Sequence, residues 1–118
     1  MKDTVRYEEF SKIEFRIAEV ISAERVEGSE KLLKLRVSLG DPFDSAQGKE
    51  PRQIIAGIGK AYEPEALIGK KIIIVANLEP RSLMGLESQG MLLAASTDTA
   101  GPVLLIPEEN IDPGAEVR

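Results

Sequence analysis

The stretch VANLEPRSLMGLESQGMLLAA, residues 75–95, decides the fold of this chain because it joins two apolar segments through a polar loop. An apolar run over Ile72–Ala76 ends at Asn77, and a second apolar run begins at Met91. This pattern predicts a strand, a structured loop and another strand. Polar loops mounted on buried strands commonly bind ligands. The hydrogen-bonding residues of this loop are Asn77, Arg81, Ser82, Ser88 and Gln89.

Length and composition place the chain among ordinary globular proteins. Its 118 residues fit one domain, 1–118, and 42% of them are hydrophobic while 30% are charged. The apolar run at 72–76 is far shorter than the ~20 residues that a membrane span requires, so no membrane partner is predicted. The N-terminus MKDTVRYEEF lacks the apolar core of a secretory signal, and the chain has no cysteine. Both features predict a cytoplasmic location.

The missing residue types exclude several function classes. The chain contains no Cys and no His. Thiol nucleophiles, imidazole bases and a Ser-His-Asp triad are therefore impossible, and most transition-metal sites lose their usual ligands. The carboxylates are scattered without a pairing that indicates acid-base chemistry. The sequence therefore predicts a protein with no catalytic residue, no cofactor and no metal site.

The charge distribution leaves two interpretations open. The net charge is −5, which argues against nucleic acid as a partner if it is taken over the whole chain. Residues 31–90, however, hold nine basic and seven acidic residues, whereas the flanks hold six basic and thirteen acidic ones. This asymmetry is compatible with a local basic face on an acidic protein. The alternative, which the counts favour, is that charges are simply mixed over a solubilised surface.

Two segments near the N-terminus have clear strand patterns. Apolar residues alternate over Ile13, Phe15 and Ile17 and then shift parity to Ala18, Val20 and Ser22 with Ile21 opposing, which predicts a long strand with a bulge or bend. Residues 32–39, LLKLRVSL, show the clearest period of two, with leucines and a valine directed to the core. Lys34 and Arg36 lie on the opposite face. They are either solubilising residues or a pair that contacts phosphate.

The remaining elements complete a barrel. RQIIAGI at 52–58 predicts a third strand, and Glu63 to Gly69 predicts a short helix. KIIIVAN at 71–77 predicts a fourth strand buried on both faces, and MLLAAS at 91–96 predicts a fifth. Five strands with one short helix between strands 3 and 4 predict an all-β fold, the OB-fold Greek-key barrel.

Three segments lie outside the predicted barrel. Residues 1–12 form an N-terminal arm in which a short helix places its apolar residues on one side. Residues 41–51 are rich in Gly, Pro, Asp and Ser and read as a loop insertion with no assigned function. Residues 98–118 form a C-terminal extension with further apolar pieces. Such an extension either caps an open barrel end or pairs with a second copy of the chain.

Three segments carry a family resemblance: RVEGSEKLLKLRVSLGD at 25–41, RQIIAGIGKAYEPEALIGKKIIIVANLEPRSLMGLESQGMLLAA at 52–95, and PGAEV at 113–117. They resemble the tRNA-binding domain found as a free-standing dimeric protein and as the C-terminal domain or beta subunit of methionyl-tRNA synthetases. The resemblance implies an OB-fold, sequence-tolerant tRNA binding and a homodimer. It also implies a methionyl-tRNA synthetase catalytic subunit as a partner, so that the chain is at most an accessory synthetase subunit. A dimeric export-type chaperone shares this barrel and is the alternative.

The five aromatic residues bear on how RNA would be recognised. None of them lies on predicted strands 2 or 3, so base stacking is not expected to dominate. Contacts to phosphates, 2′-hydroxyls and overall shape are expected instead, which favours folded RNA. The residues predicted to contact phosphate are Lys31, Lys34, Arg36, Arg52, Lys60 and Arg81. Those predicted to contact ribose or backbone are Asn77, Ser82 and Ser88, and Met84 is either a contact or a packing residue.

Overall fold

The structure is dominated by short antiparallel strands. The computed structural model describes residues 1–46 and 51–118. Its strands are β1 (Phe15–Arg25), β2 (Leu33–Ser38), β3 (Arg52–Ala56), β4 (Lys71–Val75), β5 (Arg81–Leu83), β6 (Leu86–Ser88), β7 (Met91–Leu92), β8 (Ala94–Ala95), β9 (Val103–Leu104) and β10 (Glu116–Val117). Its helices are α1 (Tyr7–Phe10), α2 (Phe43–Ala46) and α3 (Pro64–Leu67). None of these helices has the length and apolar character needed to cross a membrane.

Five strands form a nearly closed barrel. Their order is β3-β2-β1-β4-β7, and every neighbouring pair is antiparallel. The first four therefore stand in the spatial order 4-1-2-3 of a Greek key. The two edges approach each other where the Gln89 N–H donates to the Gln53 carbonyl over 2.7 Å. The predicted all-β fold with a five-stranded antiparallel barrel is confirmed.

Strand alternation sets the barrel interior. Leu33, Leu35 and Val37 of β2 are 0–1% exposed, and Ile72 and Ile74 of β4 are fully buried with them. Their intervening neighbours are only half-buried. The prediction that β4 is buried on both faces was therefore wrong. An antiparallel barrel strand places alternate residues inside and outside, however apolar its sequence is.

The predicted irregularity in the first strand is confirmed. The pairing of β1 with β2 shifts register between Val20 and Ser22, and Ile21 at the shift is exposed. Before the bulge, the first residues of β1 pair with β4 on one side and with β10 on the other. The bulge thus allows the same edge of β1 to pair with β10 near its start and with β2 further along.

The segments predicted to lie outside the barrel, at 41–51 and 98–118, contain regular secondary structure among their described residues. Phe43 begins α2 and packs against the core, with the Arg16 guanidinium 4.8 Å from its ring centre. The predicted insertion at 41–51 therefore starts with a turn and a helix, and its part at 47–50 lies outside the described residues. In the C-terminal segment, β9 pairs with β8 and β10 pairs with β1. Leu104 of β9 is 8% exposed within the core.

The predicted fifth strand is divided. β7 pairs with β4, whereas β8 leaves that ladder and pairs with β9. The predicted short helix before strand 4 is confirmed as α3, and the chain leaves it through Gly69 at φ +88°. A positive φ at this position is available to glycine without steric cost.

Candidate nucleic-acid interface

The loop between β4 and β7 is a β-hairpin made of β5 and β6. Arg81 lies opposite Ser88, and Leu83 lies opposite Leu86. The two turn residues have positive φ, +49° at Met84 and +79° at Gly85, as a type I′ hairpin turn requires. Glycine adopts this conformation freely, but methionine does so at a cost of roughly 1–2 kcal/mol. The Met84 side chain is nevertheless 59% exposed at the hairpin tip.

Ser88 attaches the hairpin to the barrel wall. Its side chain is buried, its hydroxyl accepts the Ile55 N–H over 2.9 Å, and it donates to the Gly90 carbonyl over 3.0 Å. Gly90 follows with no room for a side chain, because a Cβ there would lie 2.9 Å from the Val75 carbonyl oxygen. Ser88 was predicted to contact a ligand, but the structure places its hydroxyl inside the protein.

Two glutamines strengthen the same attachment and were not among the predicted site residues. The Gln53 side chain donates to the Glu87 carbonyl over 2.8 Å. The Gln89 side-chain oxygen accepts the Gln53 N–H, also over 2.8 Å. Each residue was recognised as polar at the end of a strand or loop, but no local pattern shows that they face each other. Their pairing follows from the closure of the barrel between β3 and β6.

Arg52 and Asn77, both predicted contacts, are engaged within the protein. Arg52 donates to the carbonyls of Ala76 and Gln89 at the end of β4, and burial lowers the pKa of its guanidinium. An arginine in such a place remains charged at neutral pH. The Asn77 side chain accepts the Glu14 N–H over 2.8 Å and donates to the Lys12 carbonyl over 2.6 Å. Asn77 thus fastens the N-terminal arm to the barrel.

The two predicted cations on the outer face of β2, Lys34 and Arg36, differ in the partners that their charged groups have. Lys34 lies opposite Glu24 of β1, and their charged atoms are 2.6 Å apart. The hydrogen bond from Lys34, together with its charge, lowers the pKa of the exposed Glu24 carboxyl. Arg36 is half-buried, and its one side-chain bond within the described ranges goes to the Pro51 carbonyl, over 3.4 Å. Arg36 therefore keeps more of its charge available than Lys34 does.

The other predicted residues lie on the connections and the hairpin that flank β2 and β3. Lys31 and Arg81 line one pocket, and Lys34 and Met84 line a second pocket whose lining also includes Glu24 and Glu27. Lys60 is exposed in the turn that follows β3, beside Gly59, whose N–H donates to the Lys31 carbonyl over 2.7 Å. Ser82 is exposed on β5. We refer to seven of the predicted residues together as the β2–β3 face; they are Lys31, Lys34, Arg36, Lys60, Arg81, Ser82 and Met84.

The β2–β3 face carries five cations and the Ser82 hydroxyl but no aromatic ring among its members. Phe43 and Tyr62 pack against the core instead, and the Tyr62 hydroxyl accepts the Leu104 N–H over 3.0 Å. The described residues also contain no group of acidic side chains that could hold a metal ion. Chemically, the face is suited to phosphate and hydroxyl groups and offers no stacking platform for successive bases.

Comparisons with known proteins agree with this geometry. Residues 15–116 match the family model of the tRNA binding domain. The chain is 51% identical over 115 residues to a methionine–tRNA ligase of Caldanaerobacter subterraneus subsp. tengcongensis. That alignment covers 98% of this chain but 17% of the ligase, so the chain spans about a sixth of that relative.

Two solved structures have the same fold over almost their whole length. A MetRS related protein from Pyrococcus horikoshii has a TM-score of 0.84 at 36% identity, and the match covers 99% of this chain and 100% of that one. The chaperone CsaA of Bacillus anthracis has a TM-score of 0.85 at 27% identity, with 98% and 100% coverage.

Proposed function

Because the chain belongs to the tRNA-binding domain family, we propose that it is a non-catalytic module that binds folded tRNA by shape and backbone contacts. The observation that carries this proposal is the β2–β3 face, which has five cations and the Ser82 hydroxyl and no aromatic ring among its members. Single-strand binders use such rings to stack bases. A surface that lacks them and offers mainly phosphate and hydroxyl partners suits the backbone of a folded RNA.

The predicted residues divide into two roles under this proposal. The seven members of the β2–β3 face contact the RNA, with the cations on phosphates and Ser82 on a ribose or phosphate oxygen. Arg52, Asn77 and Ser88 position the surface, because their polar atoms already bind backbone groups of the protein. Replacing a contact residue should weaken RNA binding and leave the fold intact. Replacing a positioning residue should affect both.

Competition between two RNAs tests this function. A folded tRNA and an unstructured RNA of equal length carry similar charge and differ in shape. We expect the tRNA to bind more tightly at every salt concentration, because only the folded molecule presents its phosphates on a fixed surface. Equal affinity for both RNAs would contradict recognition by shape. Absence of binding to either would contradict the function altogether.

The family membership also supports a place beside an aminoacyl-tRNA synthetase in the cytoplasm. We propose that the chain supplies tRNA affinity to a methionyl-tRNA synthetase catalytic subunit, in the manner of a beta subunit. Adding the chain to that enzyme should lower its KM for tRNA and leave its kcat nearly unchanged, since a binding module adds no chemistry. An unchanged KM would contradict this partnership.

We propose a homodimer that uses the C-terminal segment. This segment exposes four large apolar side chains, Val103, Leu105, Ile106 and Ile111, each 41–55% exposed. Deleting the segment would also remove β9 and β10, so charged substitutions are the better test. V103E combined with I106E should yield monomers in sedimentation, whereas I21E at the β1 bulge should not. A double variant that stays dimeric, with an unchanged melting temperature, would contradict the assignment.

A peptide-binding chaperone is the second candidate, favoured by the similarity to CsaA. A groove of about 510 Å³ lies beside α1 and is lined in part by Tyr7, Phe10 and Ile13, which are 43–78% exposed. Such a groove offers apolar surface to an unfolded peptide. Binding of an unfolded apolar peptide that F10S abolishes, without any preference for folded tRNA, would favour this function over the first.

A further inference from the structure

A small pocket lies between the hairpin and the open end of β3. Its volume is about 280 Å³, close to the lower limit of the ~300–1,000 Å³ typical of small-molecule sites. Its apolar lining includes Ile55 and Leu92, which are at most 9% exposed, and Met91, which is 43% exposed at the rim. This volume therefore suits one compact group rather than a segment of chain.

Two cations line this apolar space. Lys31 comes from the connection between β1 and β2, and Arg81 comes from the hairpin. The lining contains no acidic side chain, and neither cation belongs to any of the ion pairs found within residues 1–46 and 51–118. An apolar pocket with two cations in its lining that belong to no ion pair among the described residues complements a ligand that has both a compact apolar part and an anionic part.

We propose that this pocket receives one unpaired nucleotide of the bound RNA. The base enters the apolar space, and the phosphate of the same nucleotide lies between Lys31 and Arg81. This inference rests on the proposed function and adds a ligand group to it. It also explains how a face without aromatic rings can hold a loop nucleotide, since a folded RNA displays unstacked bases at its loops. A duplex RNA offers no such base.

Gly57 provides a way to fill the pocket without altering charge. It lines the pocket, and the Lys31 side chain crosses directly over it. A Cβ at position 57 would lie 2.9 Å from Cε of Lys31, the end of a flexible side chain that can move aside. G57V should therefore occupy the space of the base and displace Lys31 while the barrel remains folded. Gly59 is unsuitable, because a Cβ there would meet backbone atoms at 2.8 Å.

Methyl NMR of the unmodified protein tests base entry directly. Uridine 5′-monophosphate, adenosine 5′-monophosphate and inorganic phosphate serve as separate probes. Both nucleotides should shift the methyl resonances of Leu83, Met91 and Leu92, and phosphate alone should not. Nucleotide shifts confined to other methyl groups, or the same shifts with phosphate alone, would overturn the inference.

Binding of folded tRNA provides the second readout. G57V should lower the affinity about tenfold, the order associated with one sequestered base. K31Q combined with R81Q should lower it further, while K70Q, an exposed lysine elsewhere, should change it less than twofold. Wild-type affinity in G57V, with its melting temperature unchanged, would overturn the pocket and leave tRNA binding intact. Failure of the wild-type protein to bind tRNA would overturn the proposed function itself.

Discussion

Replacing Ser88 by alanine should lower the stability of the fold by weakening the attachment of the hairpin to the barrel. It should also distinguish residues of the hairpin that stabilise the fold from residues that contact RNA. The buried Ser88 hydroxyl joins the Ile55 N–H to the Gly90 carbonyl. Alanine leaves both backbone groups buried without that partner, and each unsatisfied group costs ~1–3 kcal/mol unless water reaches it. With partial access of water, a loss of ~2 kcal/mol is expected. For a chain of 118 residues this corresponds to a melting temperature lower by about 8 °C.

Ser82 on the same hairpin is the matched control. It is exposed and has no side-chain hydrogen bond within the described residues, so S82A should change stability by less than ~0.5 kcal/mol. Thermal unfolding measures the stability of both variants, and equilibrium binding measures their affinity for folded tRNA. S88A should lose both stability and affinity, whereas S82A should lose affinity alone. An S88A variant as stable as the wild type would refute the role assigned to the buried hydroxyl.

Three further substitutions test the RNA contact of Arg36, the ion pair of Lys34 with Glu24, and the close packing at Gly90. R36A should weaken tRNA binding and reduce the slope of log affinity against log salt by about 0.7–0.9, and an unchanged slope would remove Arg36 from the RNA surface. E24Q should tighten tRNA binding about threefold because it releases Lys34 from its ion pair. Because the pKa of Glu24 is lowered in the folded protein, this ion pair stabilises the fold above pH ~4.5, and that stabilisation is lost as the pH falls through the pKa of Glu24 in the folded state. The stability of E24Q should therefore depend less on pH in that range than the stability of the wild type. G90A should destabilise the fold by ~1–3 kcal/mol through its clash with the Val75 carbonyl, and a melting temperature equal to that of the wild type would contradict the close approach seen there.

Alternation of apolar residues predicted β1 and β2, whereas β4 was predicted from a continuous apolar run. The parity shift between Ile17 and Ala18 predicted a bulge in β1, and the structure places that bulge slightly further along, between Val20 and Ser22. The hairpin at 81–88 escaped prediction because its strands have three residues each, too few to establish a period, and because methionine is rare in the left-handed turn conformation. The loop was identified as structured, but its internal pairing was not.

The sequence was sufficient to identify polar and charged residues near the candidate site. It was not sufficient to predict whether each side chain faces solvent or binds another part of the protein. Lys34 and Arg36 were placed on the correct face by parity, yet the partner of Lys34 depends on the register with β1. Ser88 and Asn77 looked like contacts because short polar residues in a loop usually face solvent. Which of them turns inward depends on groups 33 and 63 positions away in the chain, and no local pattern contains that information.

We propose that folded tRNA binds on the β2–β3 face through its phosphates. The most direct test is the affinity of folded tRNA across a series of salt concentrations, for the wild type and for a K31Q, R36Q, R81Q triple variant. If about four phosphates are neutralised, the wild-type slope of log affinity against log salt should be on the order of −3, and the triple variant should lose most of it. A wild-type slope near zero, or a slope that the triple variant keeps in full, would contradict the binding of tRNA phosphates on this face.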